Sequence, residues 1–232
     1  MCQQRKSTSI SRRAENCERR RRRILYFARE LIANGGIQAV TMRKLADASG
    51  LSVNTLYNLI GTRDDILCEL VHEAVNQLDL RLEVESPPKD PVERCKVMLD
   101  VLIGFIVEDE KISRPMLLVA YQESSPVRVR ELSHMKRLIE VQHRSIKEAI
   151  SNGSLESWLD PRLLAEQLYR GCEIPFLEWA HGEIDAEQLR SRALYALYLG
   201  LFAIATQRTR RRLAEELKDI EVELLNQKER VN

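Results

Sequence analysis

Apolar residues recur through most of the chain at intervals of three and four positions, which is the spacing of residues on one face of an α-helix. The first such stripe runs from Ile24 to Ile32, and Asn34-Gly35-Gly36 ends it. The sequence contains no alternating run of β-branched residues bounded by hairpin turns. The pattern therefore predicts an all-α protein.

Three predicted helix starts follow one another closely after this first helix. Thr41 and Ser52 have side chains that can accept a hydrogen bond from a free N–H group, so each can cap a short helix. Gly50 lies between these two helices, where the chain must reverse its direction. Thr62 with Asp65 is a capping-box pattern that opens a third helix. This arrangement is typical of a helix-turn-helix unit that reads DNA.

The remaining chain is predicted to form a series of helices with clear boundaries. A connecting helix is predicted from Arg63 to about Leu82, before Pro87-Pro88. The longest apolar run, Ala193–Ala205, is too short to span a bilayer and therefore predicts a buried helix. The other predicted starts, half of them a capping residue followed by proline, are Asp90-Pro91, Arg114-Pro115, Ser125-Pro126, Asp160-Pro161, Asp185 and Arg208.

Charge is distributed unevenly along the chain. Residues 1–63 carry 13 Lys and Arg against 4 Asp and Glu, a net charge of +9; because the whole chain carries +1, residues 64–232 carry −8. A basic segment that contains the helix-turn-helix indicates that this part of the protein approaches a polyanion. The alternative interpretation is a solvated charged face.

The cysteines and histidines form no recognisable catalytic or metal-binding pattern. The five cysteines are scattered and never in C-x-x-C spacing, so we expect reduced thiols, with neither a disulfide framework nor a zinc site. The four histidines are isolated, and no HExxH, G-x-S-x-G or P-loop motif occurs, which argues against an enzyme and against a cofactor. No apolar segment follows the basic N terminus, so we expect no signal peptide and a cytoplasmic location.

The helix-turn-helix segment resembles the TetR family of bacterial transcriptional regulators. The resemblance covers about residues 20–70 and is only architectural beyond them. Two positions depart from the family pattern: Leu59 replaces a usual His, and Ile60 replaces a usual aromatic residue. The residues that match the pattern are Thr41, Leu45-Ala46, Gly50, Thr55-Leu56-Tyr57 and Arg63.

This resemblance implies a division of the chain into three parts. Residues 1–16, whose polar composition favours disorder, would form a flexible basic arm. Residues 17–64 would form the helix-turn-helix DNA-binding domain, with a reading helix at about residues 53–59. A connecting helix would join this head to residues 65–232, a larger helical domain for effector binding and dimerisation.

The residues expected to contact DNA lie in and around the reading helix. The Asn54 amide can pair with adenine, and Val53 or Thr55 can contact a thymine methyl group. The resemblance makes Arg43 a candidate guanine contact and implies phosphate contacts for several others. We expect Arg43→Ala or Asn54→Ala to weaken specific binding and Arg63→Ala to weaken binding to any sequence. The predicted set is Thr41, Arg43, Ser52, Val53, Asn54, Thr55, Tyr57, Asn58 and Arg63.

The arginine run Arg19–Arg23 directly precedes the first apolar stripe and leaves three interpretations open. These arginines can contact phosphates, the N-terminal arm can enter a minor groove, or the run can form a solvated face.

A helix predicted over residues 185–207 is apolar on nearly all sides and must therefore be buried. The resemblance implies that this helix and the helix Pro161–Ala180 form half of an intermolecular four-helix bundle. The protein would then be a homodimer that binds an inverted-repeat operator in double-stranded DNA. An intramolecular core is the alternative. The small residues of the helix predicted over residues 185–207, which would let another helix approach, are Ala193, Ala196, Gly200 and Ala203.

The resemblance also implies an effector pocket among the C-terminal helices, for a small apolar ligand. Pro175 inside a helical pattern should loosen its helix and open a cavity. Ordinary core packing is the alternative for each candidate. The predicted lining residues are Met98, Leu102, Phe105, Met116, Tyr121, Met135, Tyr169, Cys172 and Phe176.

Together these expectations favour a sequence-specific DNA-binding transcriptional regulator. By the default of the resembled family it would be a repressor that binds a palindromic operator as a dimer and is released by a small-molecule ligand. A ligand-independent architectural DNA-binding protein of the same fold is the alternative. We expect no metal and no membrane association.

Overall fold

Ten α-helices form the computed structural model, which describes residues 2–84, 88–122 and 125–231. The all-α prediction is confirmed, since across these residues the β-pairing is limited to one isolated antiparallel bridge between Leu155 and Ala205. A short 3₁₀ helix, Ile37–Ala39, follows the first α-helix. The α-helices are α1 (Cys2–Gly35), α2 (Met42–Ser49), α3 (Val53–Leu59), α4 (Arg63–Val84), α5 (Pro91–Val107), α6 (Glu110–Ala120), α7 (Pro126–Ser151), α8 (Pro161–His181), α9 (Ala186–Ala203) and α10 (Gln207–Val231).

Most of the predicted helix starts are confirmed, because the capping side chains make the expected hydrogen bonds. Thr41 accepts from the Lys44 N–H at 3.2 Å. Asp185 and Gln188 form a reciprocal capping box at the start of α9. The starts of α5, α7 and α8 are each capped by the Asp or Ser that precedes a proline. The connecting helix α4 ends at Val84; Pro87, which was expected to stop it, lies outside the described residues.

Two helices differ from the predictions. Helix α1 begins at Cys2, where a flexible arm over residues 1–16 was expected, because no Gly or Pro interrupts the chain before Gly35. The ion pair between Arg22 and Glu18, one turn apart, adds local support. The predicted helix start at Arg114-Pro115 is wrong: α6 begins at Glu110, and Pro115 lies inside it, past the first turn, where it leaves the Lys111 carbonyl without its usual helical N–H donor.

The buried apolar residues form two clusters, one around the helix-turn-helix and one in the C-terminal part. The first cluster, which we call the head core, contains buried residues of α1, α2, α3 and the first two turns of α4. It also contains Met116 and Ala120 of α6 and Val127 of α7. The second cluster joins α5 and α7–α10 around Trp179, which is fully buried. The head therefore packs directly on α6.

The reversal between α2 and α3 depends on Gly50, which has φ 64° and ends α2 in the left-handed conformation. Gly50→Ala is expected to destabilise the protein by about 1–2 kcal/mol, because a Cβ atom disfavours this conformation. Urea unfolding measures the change. Gly104→Ala is the matched control: it lies in the last turn of α5, where a Cβ meets no atom within 4 Å, so alanine should stabilise by about 0.4–1 kcal/mol. Equal effects of the two substitutions on stability would contradict the claim that the left-handed conformation makes glycine necessary at position 50.

Candidate DNA-binding surface and internal cavity

The helix-turn-helix is held by buried leucines that leave its polar side chains free. Leu45 of α2 and Leu56 of α3 are both fully buried in the head core. The opposite faces of the two helices are exposed, including Arg43 and Asn54. Because the core residues fix the rotation of each helix, the exposed residues lie on one outer surface of the head.

Of the five α3 side chains that were predicted to contact DNA, four are exposed. Asn54 and Asn58 are exposed, Val53 is 38% exposed and Tyr57 is 50% exposed. Thr55 is half-buried and lies 2.7 Å from the Ser52 hydroxyl, which also accepts from the Thr55 N–H at 3.1 Å. Ser52 and Thr41 are therefore helix caps that remain exposed to solvent.

The Arg63 side chain, which was predicted to contact phosphate, also makes hydrogen bonds within the protein. Its guanidinium donates to the carbonyl oxygens of Val40 and Ile37, both at 2.8 Å, and lies 3.7 Å from the Asp64 carboxylate. The side chain therefore ties the start of α4 to the segment before α2. Two of its five N–H donors are engaged by these carbonyls, and the others remain available to an anion.

Arg63→Ala is expected to lower the free energy of unfolding by about 1–3 kcal/mol, since two partly buried carbonyls lose their donor. Arg63→Lys is the informative control, because an ammonium keeps the charge but cannot reproduce the planar fork. We expect lysine to preserve the salt dependence of DNA binding while still losing stability. Urea unfolding measures the stability, and DNA affinity at a series of salt concentrations measures the salt dependence. Unchanged unfolding of the alanine variant would contradict this role.

The arginine run in α1 does not present a single face. Arg21 points inward: it donates to the Leu59 carbonyl at 3.0 Å and lies 3.5 Å from Glu69 of α4. It precedes the buried Leu25 by four positions and lies on the same side of α1. Arg20 and Arg23 are exposed.

Two basic residues belong to this surface in addition to the predicted set: Lys44, which the sequence analysis did not include, and Arg23, which it considered only as part of the arginine run. Lys44 is exposed beside Arg43, and its position in the first turn of α2 was the available signal. The Arg23 guanidinium lies 3.4 Å from the place where a Cβ of Gly50 would be, so it reaches the turn between α2 and α3. The approach of Arg23 to Gly50 depends on the packing of α1 against this turn, so no local pattern in the sequence indicates it.

A cavity of ≈ 410 Å³ lies in the C-terminal part, within the size range of small-molecule sites. Helices α4, α5, α6, α7 and α8 supply most of its lining. Eight of the nine predicted residues line it; Met135 does not, because the residues of α7 that face the cavity, Leu138 and Gln142, belong to the following turns. The eight are Met98, Leu102, Phe105, Met116, Tyr121, Tyr169, Cys172 and Phe176.

One whole wall of the cavity was missed from the sequence. Helix α4 contributes Leu70, Val71, Val75 and Leu78. The sequence analysis interpreted this helix only as the connection between the two parts. Its apolar stripe was the available signal, but nothing local distinguishes a residue that faces a cavity from one that faces a packed core.

The charged residues around the cavity are only partly paired. Arg81 makes two hydrogen bonds to Glu108, at 2.6 and 2.5 Å, and lies over the Phe105 ring at 5.0 Å. The hydrogen bond from Arg81 lowers the pKa of Glu108, so this carboxyl stays ionised. Arg29 of α1 pairs with Glu73 of α4 at 3.2 Å.

The Cys172 thiol in the cavity lining is neutral, because burial raises its pKa to about 12.

Helices α8 and α9 carry an exposed apolar face, which we call the α8–α9 face. It contains Leu163 and Ile174 of α8, 63% and 61% exposed, and Leu199 of α9, 45% exposed. The small residues of α9 serve partly within the chain: Ala193 is fully buried, and a Cβ at Gly200 would overlap Leu168 of α8. They let α8 and α9 approach each other, whereas the larger apolar side chains point outward.

Two further observations concern the described part of the chain. No group of three or more His, Cys, Asp or Glu side chains in it is placed to hold a metal ion. None of the helices in the same ranges combines the length and the apolar character needed to cross a bilayer.

The chain is similar to known proteins in both sequence and structure. Residues 24–70 match the family model described as bacterial regulatory proteins of the tetR family. This span extends from the apolar stripe of α1 into the second turn of α4, so it contains the complete helix-turn-helix. The matched region is the head, whose exposed residues are described above.

Relatives and solved structures extend the similarity over most of the chain. The fatty acid metabolism regulator protein of Bacillus subtilis (strain 168) is 22% identical over 181 residues, which cover 77% of this chain and 93% of that protein. The HTH-type transcriptional repressor KstR of Rhodococcus jostii (strain RHA1) is 28% identical over 97 residues, 42% of this chain and 45% of that one. A TetR transcription regulator from Haloarcula marismortui ATCC 43049 has a TM-score of 0.69 at 16% identity, over 82% of this chain and 100% of that one. This last match shows a shared fold.

Proposed function

We propose that this chain, a member of the TetR family of bacterial regulatory proteins, is a repressor that binds an inverted-repeat operator as a homodimer and is released by a ligand in its cavity. Members of the family regulate transcription by binding DNA and are not enzymes. The proposal assigns DNA binding to residues 17–64, and dimerisation and effector binding to residues 65–232. A relative named as a repressor supports the sign of regulation.

The observation that carries the proposal is the exposed polar surface of the head. Arg43, Asn54 and Tyr57 are exposed on two helices whose rotation the head core fixes. The side chains at the start of α3 can meet base edges in a major groove, while the caps of α2 and α3 and the remaining donors of Arg63 can bind phosphates. The net charge of +9 over residues 1–63 favours approach to DNA.

The α8–α9 face supports the homodimer. Leu163, Ile174 and Leu199 present apolar surface that a single chain leaves in water. A second copy that places its own α8 and α9 against this face would cover these residues by a two-fold, self-complementary contact. Two heads related by such an axis would meet two half-sites, which gives the inverted repeat.

The position of α6 supports release by a ligand. Met116 and Ala120 of α6 are buried in the head core, and both also line the cavity. A ligand that moves α6 therefore acts directly on the packing of the head. Release requires that the ligand binds the conformation incompetent for DNA more tightly than the competent one.

Selection of bound sequences from random double-stranded DNA, with purified protein, tests the proposal. We expect enrichment of an inverted repeat whose half-sites lie at least about one helical turn apart. Repeating the selection with a small-molecule cell extract should reduce recovery of this repeat. Weak enrichment of many unrelated sequences would instead indicate an architectural DNA-binding protein. Failure to retain DNA at moderate salt would overturn both functions.

A further inference from the structure

Gln142 of α7 presents an uncharged amide to the cavity. It is only 3% exposed and lines the cavity beside Leu138, one turn earlier and 2% exposed. The amide makes no hydrogen bond to the other residues that the structure describes, and its polar atoms are not fully enclosed by protein, so they can reach an occupant of the cavity. A largely buried amide is unfavourable unless something pairs with it, so its presence beside apolar residues indicates a group in the cavity that it binds.

The charges near the cavity limit what that group can be. The two cationic side chains, Arg81 and Arg29, are already paired with Glu108 and Glu73. Asp109 and Glu173 also line the cavity and have no ion-pair partner among the described residues. An anionic ligand would therefore find no free cation and would face unpaired carboxylates, whereas burying a charged group requires a partner of the opposite charge.

We propose that the cavity selects a predominantly apolar molecule with one uncharged hydrogen-bonding group, such as a hydroxyl, carbonyl or amide, and that Gln142 is the residue that recognises this group. The inference rests on the proposed role of the cavity as an effector site. The glutamine amide both donates and accepts, so it can pair with any of these neutral groups. The apolar remainder of the ligand packs against Leu102, Phe105 and Phe176.

Decanol, decanoate and decylamine differ in the head group and share the same chain, so calorimetric titration of each into the DNA-free protein tests the inference. We expect decanol to bind at least about 10-fold more tightly than decanoate, since the carboxylate would lose solvation without gaining a partner. Decylamine is the critical comparison, because Asp109 or Glu173 could pair with its ammonium; we expect it also to bind more weakly than decanol, since Gln142 offers only a neutral amide. Tighter binding of decanoate or decylamine, or no binding of decanol, would overturn the proposal.

Substitution of Gln142 separates recognition from packing. Gln142→Leu should weaken decanol binding by about 10-fold, because the hydrogen bond is lost. It should also raise the melting temperature of the ligand-free protein, by about 2–4 °C, since an unpaired buried amide is removed. The same change at exposed Gln207, outside the cavity, should alter neither quantity. Unchanged decanol affinity of Gln142→Leu would assign Gln142 to packing alone and overturn the inference.

Operator binding is measured separately, by fluorescence anisotropy without ligand. A protein that binds its operator but not decanol refutes the ligand class and leaves the proposed DNA-binding function intact. A protein that binds decanol but no DNA refutes the proposed function and leaves the recognition by Gln142 standing.

Discussion

Ile174→Glu combined with Leu199→Glu is expected to convert the proposed homodimer into a monomer and to weaken binding to the selected operator by at least about 100-fold. Both side chains lie on the exposed α8–α9 face, and a two-fold interface would place carboxylates of both copies in an apolar contact. The monomer should remain folded, because substitutions at exposed positions have small effects on stability and Glu is a good helix former. Light scattering measures the mass and fluorescence anisotropy the affinity.

Leu80→Glu is the matched control for this variant. Leu80 is 60% exposed on α4, away from the α8–α9 face. We expect it to remain dimeric and to bind the operator normally. A double variant that stays dimeric with full affinity would show that the protein dimerises through another surface. A monomer with full affinity would show that dimerisation is unnecessary for operator binding.

Asn54→Ala and Arg43→Ala are each expected to weaken binding to the selected operator by about 1–3 kcal/mol, roughly 5- to 150-fold. Both side chains are exposed on the outer surface of the helix-turn-helix, and the amide and guanidinium can make bidentate contacts with adenine and guanine. Non-specific DNA should be affected less, because base contacts carry the specificity and phosphate contacts carry the general affinity. Anisotropy titrations against operator and scrambled DNA measure both.

Asn76→Ala, an exposed asparagine on α4, is the matched control and should leave both affinities unchanged. Selection of bound DNA with Asn54→Ala should relax the preference at one base position in each half-site. Equal losses on operator and scrambled DNA would assign Asn54 to phosphate binding. Operator affinity unchanged by both alanine substitutions would refute the placement of α3 in the major groove.

The helix-turn-helix was predictable because its determinants are local. Thr41 and Ser52 cap their helices by hydrogen bonds to N–H groups three residues later. The left-handed Gly50 closes α2 within the same short segment. Such interactions involve residues within one turn of each other, so residue type and spacing specify them without knowledge of the rest of the fold. The same reasoning predicted the starts of α5, α7, α8 and α9.

The cavity was only partly predictable. Met98, Phe105 and Phe176 were predicted to line the cavity as apolar residues of C-terminal helices, and they do. Met135 was predicted on the same ground, but it lies outside the lining. Leu78, an apolar residue of the predicted connecting helix, was not assigned to the cavity but forms part of its wall. Hydrophobicity shows which side of a helix is covered; whether atoms or space lie opposite depends on how several helices meet.

By itself the sequence determined the all-α class, the helix boundaries with strong caps, and the bounds of α3, the proposed reading helix. Only the tertiary structure decided that Arg63 binds the carbonyls of Ile37 and Val40, 26 and 23 residues away. It likewise decided that Gln142 faces a cavity and that Gly200 admits Leu168 of the same chain. The physical reason is range: caps and periodicity act within a turn, whereas these contacts exist only after distant helices have packed together.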